Sequence, residues 1–404
     1  MSTLLLLVVT GIFNPVTAVG PDAMLVNPAQ LAYPERPAFA CRILGLDAQA
    51  GNNSFSIAQY NRYTGAFLGD AAKADILGSI PKSGLLLAGR AQAAGAEFGY
   101  GTFAASVRTT GSAEATLPRD AFDLVLQGNE LGRTYSAAGT AARAQVLWRA
   151  GVGWATAIGR NFTVGLGAHR LQGLFYADLT EASASFLTTE QAFASSGRVA
   201  YRMASGGSGW AFDAGVAYVR DKWRFSLGCL DVGTGILWTE GVKQGVYTFA
   251  LDTANLYQIV TRGKFKQQFN QDAGGFFTTE VPMIVNLGAA RRVYNWLNGS
   301  VLIQQRFRDG NLGKNWSASA VCEMWPRRWL PVGLELGYRG WAGPTFGLDL
   351  GFIVRRFAFT LGAKDLAGLL ASAKGAEFNL GIGFGTFYIE RPATVPDTVH
   401  LRDD

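Results

Sequence analysis

The stretch Val332–Val354, VGLELGYRGWAGPTFGLDLGFIV, decides the fold class. Every second residue of this stretch is mostly glycine or charged, including Glu335, Arg339 and Asp349. The apolar residues stand at every second position on both sides of a central turn, namely Val332, Leu334, Leu336, Tyr338, Phe346, Leu348, Leu350, Phe352 and Val354. Because successive side chains of a strand point to opposite faces, the stretch predicts two strands with one apolar face each. A soluble sandwich shows the same alternation, so composition must decide which face meets water.

Composition favours a membrane β-barrel. Charged residues make up 16% of the 404 residues, whereas a typical soluble domain has about 25%. The chain has 51 glycines, 26 Phe, 13 Tyr and 10 Trp. No apolar run reaches the ~18 residues that a membrane helix needs. We therefore predict an all-β fold, a transmembrane antiparallel barrel.

The N-terminus resembles a leader that lacks its basic start. Leu4–Val9 is apolar, and Val16-Thr17-Ala18 fits a small-residue cleavage pattern, but no Lys or Arg precedes them. The segment is either a truncated signal peptide or a mature strand. We expect residues 1–18 to be the signal peptide, which places the mature chain in the bacterial envelope.

The alternation recurs along the chain and predicts about fourteen strands over residues 39–390. The pattern also predicts short loop helices at Phe67–Ile80 and Pro118–Leu131, and a glycine-linked hairpin of residues 85–94 and 97–108. Two strands, up to Leu187 and back over Gly197–Val219, exceed the ~9–11 residues that cross a bilayer. This long hairpin should project beyond the membrane. A polar tail, residues 391–404, follows the last strand.

Short and long connections alternate from Trp148 to Phe384, as in exported barrels with periplasmic turns and external loops. An even strand count then leaves both chain termini on the periplasmic side. The short, basic connections are Gly159–Asn161, Arg220–Lys222, Arg291–Asn295, Pro326–Leu330 and Arg355-Arg356. The connections between them are mostly longer, namely Thr188–Ser196, Gly233–Glu280, Arg308–Lys314 and Asp365–Ala376.

The polar phase should line the barrel interior. It includes His169, Asp213, Glu335, Arg339 and Asp349. A three-residue loop at 341–343 would set Glu335 opposite Asp349, and a five-residue loop at 342–346 would set Arg339 there instead. Structural charge pairing and a ligand site both stay open for these residues. Tryptophans near strand ends fit interfacial girdles, namely Trp148, Trp154, Trp223, Trp316, Trp325, Trp329 and Trp341.

Several function classes lack their usual residues. The three cysteines are far apart and show neither metal spacing nor a disulfide framework. His169 and His400 are the two histidines, and His400 lies in the tail, so a catalytic base is hard to place. No phosphate-binding loop stands out, and the net charge of +6 forms no basic patch. We therefore predict no enzyme activity, no cofactor, no metal and no nucleic-acid partner.

The run Pro21–Ala32, PDAMLVNPAQLA, resembles the start of the long-chain fatty acid transporter (FadL-like) outer-membrane family through Asn27-Pro28-Ala29. The wider chain resembles a branch of barrels related to that family and to PorV-type barrels. The stretches that carry this resemblance are Ser79–Pro81, Gln127–Leu131, Phe212–Gly215, Leu230–Gly233 and Val281-Pro282. The resemblance implies a fourteen-stranded barrel with residues 19–38 as a hatch, in which Asn27, Pro28 and Ala29 take part.

Two functions follow as hypotheses. The first is passive passage of hydrophobic small molecules past the hatch of an outer-membrane barrel, with membrane lipid as its surroundings. The loop helices would shape an apolar funnel for them. The second is a non-transport barrel, a secretion-associated or structural envelope component with a protein partner. The long connection supports it through its apolar residues Leu237, Trp238, Val246, Tyr247, Phe249, Leu256, Tyr257, Phe265 and Phe269.

Overall fold

A computed structural model describes residues 14–190, 192–254, 265–307, 316–327, 329–339, 343–364 and 374–385. In these residues fourteen antiparallel strands close into a barrel through the pairing of the first strand with the last, from Ala40 opposite Gly385 to Gly51 opposite Gly375. The predicted strand number and all-β class are confirmed. The wall strands are β1 (Phe39–Asn52), β2 (Leu85–Tyr100), β3 (Phe103–Leu117), β5 (Ala141–Ile158), β6 (Phe162–Thr188), β8 (Gly206–Arg220), β9 (Trp223–Glu240), β13 (Met283–Tyr294), β14 (Leu297–Phe307), β15 (Trp316–Arg327), β16 (Leu330–Arg339), β17 (Gly343–Val354), β18 (Phe357–Lys364) and β19 (Gly375–Gly385).

The short turns, the first residues of β1 and the last residues of β19 lie together at one end of the barrel, which we call the turn end. The long connections lie at the other, the loop end. Outside the described residues are the predicted C-terminal tail and residues 1–13 of the expected leader. Asn14 and Val16 are buried in the barrel. The leader itself stays a prediction.

Five more strands extend the wall at the loop end, namely β4 (Thr134–Ser136), β7 (Phe193–Ala204), β10 (Lys243–Ala254), β11 (Phe265–Ala273) and β12 (Phe277–Thr279). The 27-residue β6 pairs first with β8 and then with β7, so the predicted long hairpin does project. β10 joins β7, and β11 joins β10. Gly233–Glu280 is therefore largely paired strand, although its alternation was too irregular to predict one.

The hairpin predicted to turn near Gly95 turns elsewhere. β2 continues to Tyr100, and the chain reverses at Gly101, whose φ is +58°. The register of β2 against β3 shifts between Ala94 and Phe98, where Ala96 has a φ of 54°. This bulge inserts one residue and changes the phase of the side chains. The sequence pattern therefore breaks inside a continuous strand.

Three helices lie in the described loops: α1 (Ile57–Tyr63), α2 (Asp70–Ser79) and α3 (Arg119–Gln127). α2 and α3 fall within the two predicted helical ranges, whereas α1 was not predicted. Its N-terminus has a capping box, in which Ser56 and Gln59 each satisfy the other's backbone N–H. The described helices are all too short or too polar to cross a membrane.

The hairpin β16–β17 has the predicted faces but neither of the two predicted registers. Asp349 is 3% exposed on the inner face, whereas Leu336 is 66% exposed on the outer face. Glu335 lies opposite Gly347, and Asp349 lies opposite Gly333. The three-residue connection is 340–342 rather than 341–343, which places glycine opposite each carboxylate. Both expected charge pairings across this hairpin are therefore wrong.

Candidate functional site

Residues 14–38, which we call the luminal segment, pass through the barrel interior near the turn end. The segment contains two 3-10 helical turns, Gly20–Leu25 and Pro28–Ala32. Asn27 lies between them and is fully buried, as is Ala29. The Asn27 side chain accepts a hydrogen bond from the N–H of Ala29 at 2.9 Å, which caps the second turn. The three residues that the sequence assigned to a hatch thus lie in the interior of the barrel.

A row of three glycines makes room for this segment. Gly165 of β6 lies opposite Gly215 of β8, which in turn lies opposite Gly228 of β9. A Cβ at Gly165 would overlap the Pro28 carbonyl group, and a Cβ at Gly215 would overlap the side chain of Asn27. We call these residues the glycine row. Its lack of side chains lets the backbone of the wall and that of the segment approach closely.

Hydrogen bonds fix the segment against the glycine row. Asn27 Nδ2 donates to the carbonyl oxygen of Val216 at 3.0 Å and to Ser226 Oγ at 2.8 Å. Asn286, directly across from Gly228 on β13, donates to the carbonyl oxygen of Val26 at 2.8 Å. These donors and acceptors are buried, so one that loses its partner cannot form a hydrogen bond to water instead. Each such loss costs about 1–3 kcal/mol of stability.

Ion pairs connect two positions of the segment, Asp22 and Glu35, to the wall. Asp22 pairs with Arg42 of β1, and Glu35 pairs with Arg224 of β9. Arg42 also lies 2.9 Å from Glu97 of β2, which in turn pairs with Arg108 of β3. Glu97 is fully buried, so the two arginines supply its hydrogen-bond donors. One charge network therefore links the segment to three neighbouring strands.

A second network lies on the loop-end side of the glycine row. His169 Nε2 is 2.5 Å from Asp213 Oδ2, and both side chains are buried. Asp213 also accepts from the N–H of Asp231 at 2.8 Å, and Asp231 pairs with Arg149 of β5. Asp231 has a φ of 62° at a register shift of β9 against β8. The bulge turns its carboxylate into the lumen.

A cavity of about 520 Å³ lies over the luminal segment and has charged walls. Its floor includes Leu25 and Val26, and its walls include Glu335 and Arg339. Lys364 Nζ lies 3.0 Å from Glu335 and 3.3 Å from Glu377, with which Arg339 also pairs. Asn379 donates to Asp349 at 2.9 Å. These contacts favour structural charge pairing over a ligand site for Glu335 and Arg339, whereas Asp349 is bound by a neutral amide.

A more apolar cleft opens at the loop end, with a volume of about 820 Å³. Its lining combines α1, the end of α2 and the tops of β1 to β3, including Phe55, Ile57, Tyr60, Ile76 and Leu87. Hydrogen bonds from the Tyr63 hydroxyl at 2.6 Å and from Gln59 lower the pKa of the Asp75 carboxyl. This contact joins α1 to α2.

The described residues hold no group of three or more His, Cys, Asp and Glu side chains placed for a metal ion. The sequence pointed to Asn27, Pro28 and Ala29, and to the inner-face side chains of His169 and Asp213. It missed Glu97 and the glycine row. The available signal was that Gly165, Gly215 and Gly228 all occupy the inner phase of their strands, but their register could not be derived from local pattern.

The solved structures that resemble this chain include a channel and a transporter. The chain matches the TodX monoaromatic hydrocarbon channel deltaS2 mutant with a TM-score of 0.50 and 10% identity, over 91% of this chain and 94% of that one. It matches a Pseudomonas aeruginosa FadL homologue with a TM-score of 0.49 and 9% identity, over 95% and 100% of the two chains. It matches the Ralstonia pickettii toluene transporter TbuX with a TM-score of 0.47 and 12% identity, over 91% of this chain and 94% of that one. At these identities the likeness concerns the fold alone. Kinship with PorV-type barrels stays a prediction.

No curated protein matches the chain significantly. A family model, described as a family of unknown function (DUF5723), matches residues 37–205 and 187–364. The two matches together span most of the barrel wall, from the residues just before β1 to the end of β18. The chain therefore belongs to the DUF5723 family.

Proposed function

We propose that the barrel spans the bacterial outer membrane and passes small hydrophobic molecules inward, with the luminal segment as a hatch. The observation that carries the proposal is the glycine row, which seats a separate piece of chain inside a closed wall. A plug held by hydrogen bonds and ion pairs, without strand pairing to the wall, can move while the barrel stays intact. The matched fold of a monoaromatic hydrocarbon channel supports apolar solutes.

Membrane placement rests on the outer surface of the barrel. Large apolar side chains are exposed there, for example Val152 at 62%, Leu166 at 60% and Leu287 at 55%. Water would make such a surface costly, whereas lipid would cover it. Aromatic residues cluster at the turn end, where the Phe162 and Tyr218 rings lie 4.9 Å apart. They fit an interfacial girdle.

Replacing Leu166 by arginine tests this placement. We expect the free energy of unfolding in lipid vesicles to fall by about 2–4 kcal/mol, since a cation would face the hydrocarbon layer. Urea titration followed by tryptophan fluorescence measures it. Leu131→Arg is the matched control, because Leu131 is 65% exposed but lies in the loop after α3. Equal effects of the two substitutions would contradict the placement.

We assign solute capture to the cleft beneath α1. Its lining offers aromatic and aliphatic side chains at the loop end, and it shares Ala88, Gly89 and Glu114 with the charged cavity. An apolar solute gains free energy by leaving water at this point. The solute would then reach the lumen and pass the hatch when its contacts with the wall loosen. This assignment differs from the predicted apolar funnel, because the cleft is lined by α2 and the unpredicted α1, whereas α3 does not line it.

The test is flux of toluene into proteoliposomes. We expect Ile57→Ser combined with Tyr60→Ser to lower the initial rate about five- to tenfold, because the two partly exposed apolar contacts together are worth roughly 1–1.4 kcal/mol. Val125→Ser of α3 is the control, since Val125 is 81% exposed and lies outside the cleft. Wild-type flux equal to that of protein-free liposomes would refute the proposed passage.

A second candidate function rests on the projecting strands. Tyr201, Phe249 and Phe269 share one face of the sheet β7–β10–β11, and the Tyr201 and Phe269 rings stack at 6.4 Å. Phe269 is 55% exposed. An envelope protein could cover this face, as the second hypothesis proposes. Leu256 and Tyr257 of the same connection lie outside the described residues. Co-purification of a stable complex that Phe269→Ser dissolves would favour this function.

A further inference from the structure

Arg170 lies on the outer, apolar face of the barrel wall. Its neighbours along β6, His169 and Leu171, are both buried on the inner face. Since side chains alternate along a strand, Arg170 points outward. On the same face it lies directly opposite Ala150 of β5 and Trp210 of β8. A cation on this face needs a counter-charge or an interface to be tolerated.

The described residues provide Arg170 with no carboxylate within 4.0 Å, in contrast to the arginines of the lumen. Its guanidinium carbon lies 5.2 Å from the centroid of the Trp210 ring. Nη1 is 3.5 Å from the carbonyl oxygen of Gly209, a long contact. Stacking on the indole orients the planar guanidinium, but its charge and most of its five N–H donors stay available.

The height of Arg170 on the wall matches the outer boundary of a membrane. It lies eight residues beyond Phe162, which belongs to the turn-end aromatic cluster. Eight residues span about 26 Å along a strand and about 20 Å vertically at the usual tilt, close to the ~25 Å apolar band of such barrels. Trp148 and Trp210 flank this level, and β6 then continues into the projecting hairpin.

We propose that Arg170, together with Trp148, Gln172 and Trp210, binds the phosphate of an outer-leaflet lipid. Guanidinium groups bind phosphate through two parallel N–H donors, and charge-assisted bonds of this type are strong. The exposed apolar side chains toward the turn end, including Leu166 and Phe212, would contact the acyl chains of the same lipid. This site is distinct from the lumen, and it rests on the proposed membrane placement.

Native mass spectrometry of the full-length barrel with diphosphoryl lipid A and with its dephosphorylated form tests the site. We expect wild type to bind the phosphorylated lipid about tenfold more tightly, Arg170→Gln to lose this preference, and Arg170→Lys to keep part of it. The control is Arg198→Gln, which removes an exposed arginine at the loop end that Glu181 already pairs at 2.8 Å. It should bind like wild type.

Competition with inorganic phosphate separates the two sources of the phosphate group. Retention of the lipid in millimolar phosphate supports a lipid site, whereas full displacement, with inorganic phosphate bound in its place, overturns it. Equal binding of both lipids by wild type, or an unchanged preference in a folded Arg170→Gln protein, overturns the proposal too. The readout is binding alone, so absence of toluene flux would refute the proposed passage and leave this result unaffected.

Discussion

Replacing Gly228 by valine is expected to open the barrel to ions by unseating the luminal segment. A Cβ at this position would meet the carbonyl oxygen of Val26 and the backbone of Asn27. These atoms belong to the backbone of the luminal segment, so a rotation of a side chain cannot remove the overlap. Overpacking of this kind costs about 1–3 kcal/mol. A penalty of that size shifts a two-state equilibrium about 5- to 150-fold.

Conductance of single barrels in planar bilayers measures this effect. The seated state should dominate in wild type and give small, rare openings, whereas Gly228→Val should raise the open fraction at least about fivefold. Gly299→Val is the matched control on β14, since no atom lies within 4 Å of an added Cβ there. Asn27→Ala should act in the same direction, because it removes both bonds to the wall. Unchanged conductance in both Gly228→Val and Asn27→Ala would show that the segment does not block the lumen.

The architecture of the wall could be predicted because it depends on local pattern. In Val332–Val354 each strand is specified by its own alternation, and the composition then decides which face meets lipid. The number of strands follows from how often this alternation recurs, and the alternating connection lengths agree with an even count. The register of β16 against β17 could not be derived, because a shift of one loop residue changes every partner across the hairpin. In the observed register Glu335 and Asp349 each lie opposite a glycine, so neither of the two alternative pairings forms.

The seat of the luminal segment depends on contacts that are remote in the sequence. Gly165, Gly215 and Gly228 become neighbours only after β6, β8 and β9 have paired in one register. Each glycine alone is unremarkable in a chain with 51 of them. Asp231 is a similar case, since the bulge that turns it inward exists only in the paired sheet. Asn27-Pro28-Ala29 was identified through a family resemblance, and its partners on the wall were not.

Replacing Glu97 by alanine should cause the largest loss of stability. Glu97 is fully buried between Arg42 and Arg108, and it pairs with both. Removing it leaves two buried arginines without their shared carboxylate. Loss of one member of a buried ion pair costs about 3–5 kcal/mol. We expect the free energy of unfolding in lipid vesicles, measured by urea titration, to fall by this amount.

Two variants separate charge from packing in this result. Glu181→Ala removes an exposed carboxylate whose partner Arg198 is 49% exposed, so the loss should stay within about 0–1 kcal/mol. Glu97→Ala combined with Arg108→Met should recover part of the stability, because it removes one uncompensated charge from the interior. If the double variant is as unstable as Glu97→Ala, packing rather than charge explains the effect. Arg42 also holds Asp22 of the luminal segment. Glu97→Ala should therefore lower stability and leave the segment attached through Arg42, whereas Gly228→Val should release the segment and leave the unfolding free energy of the wall nearly unchanged.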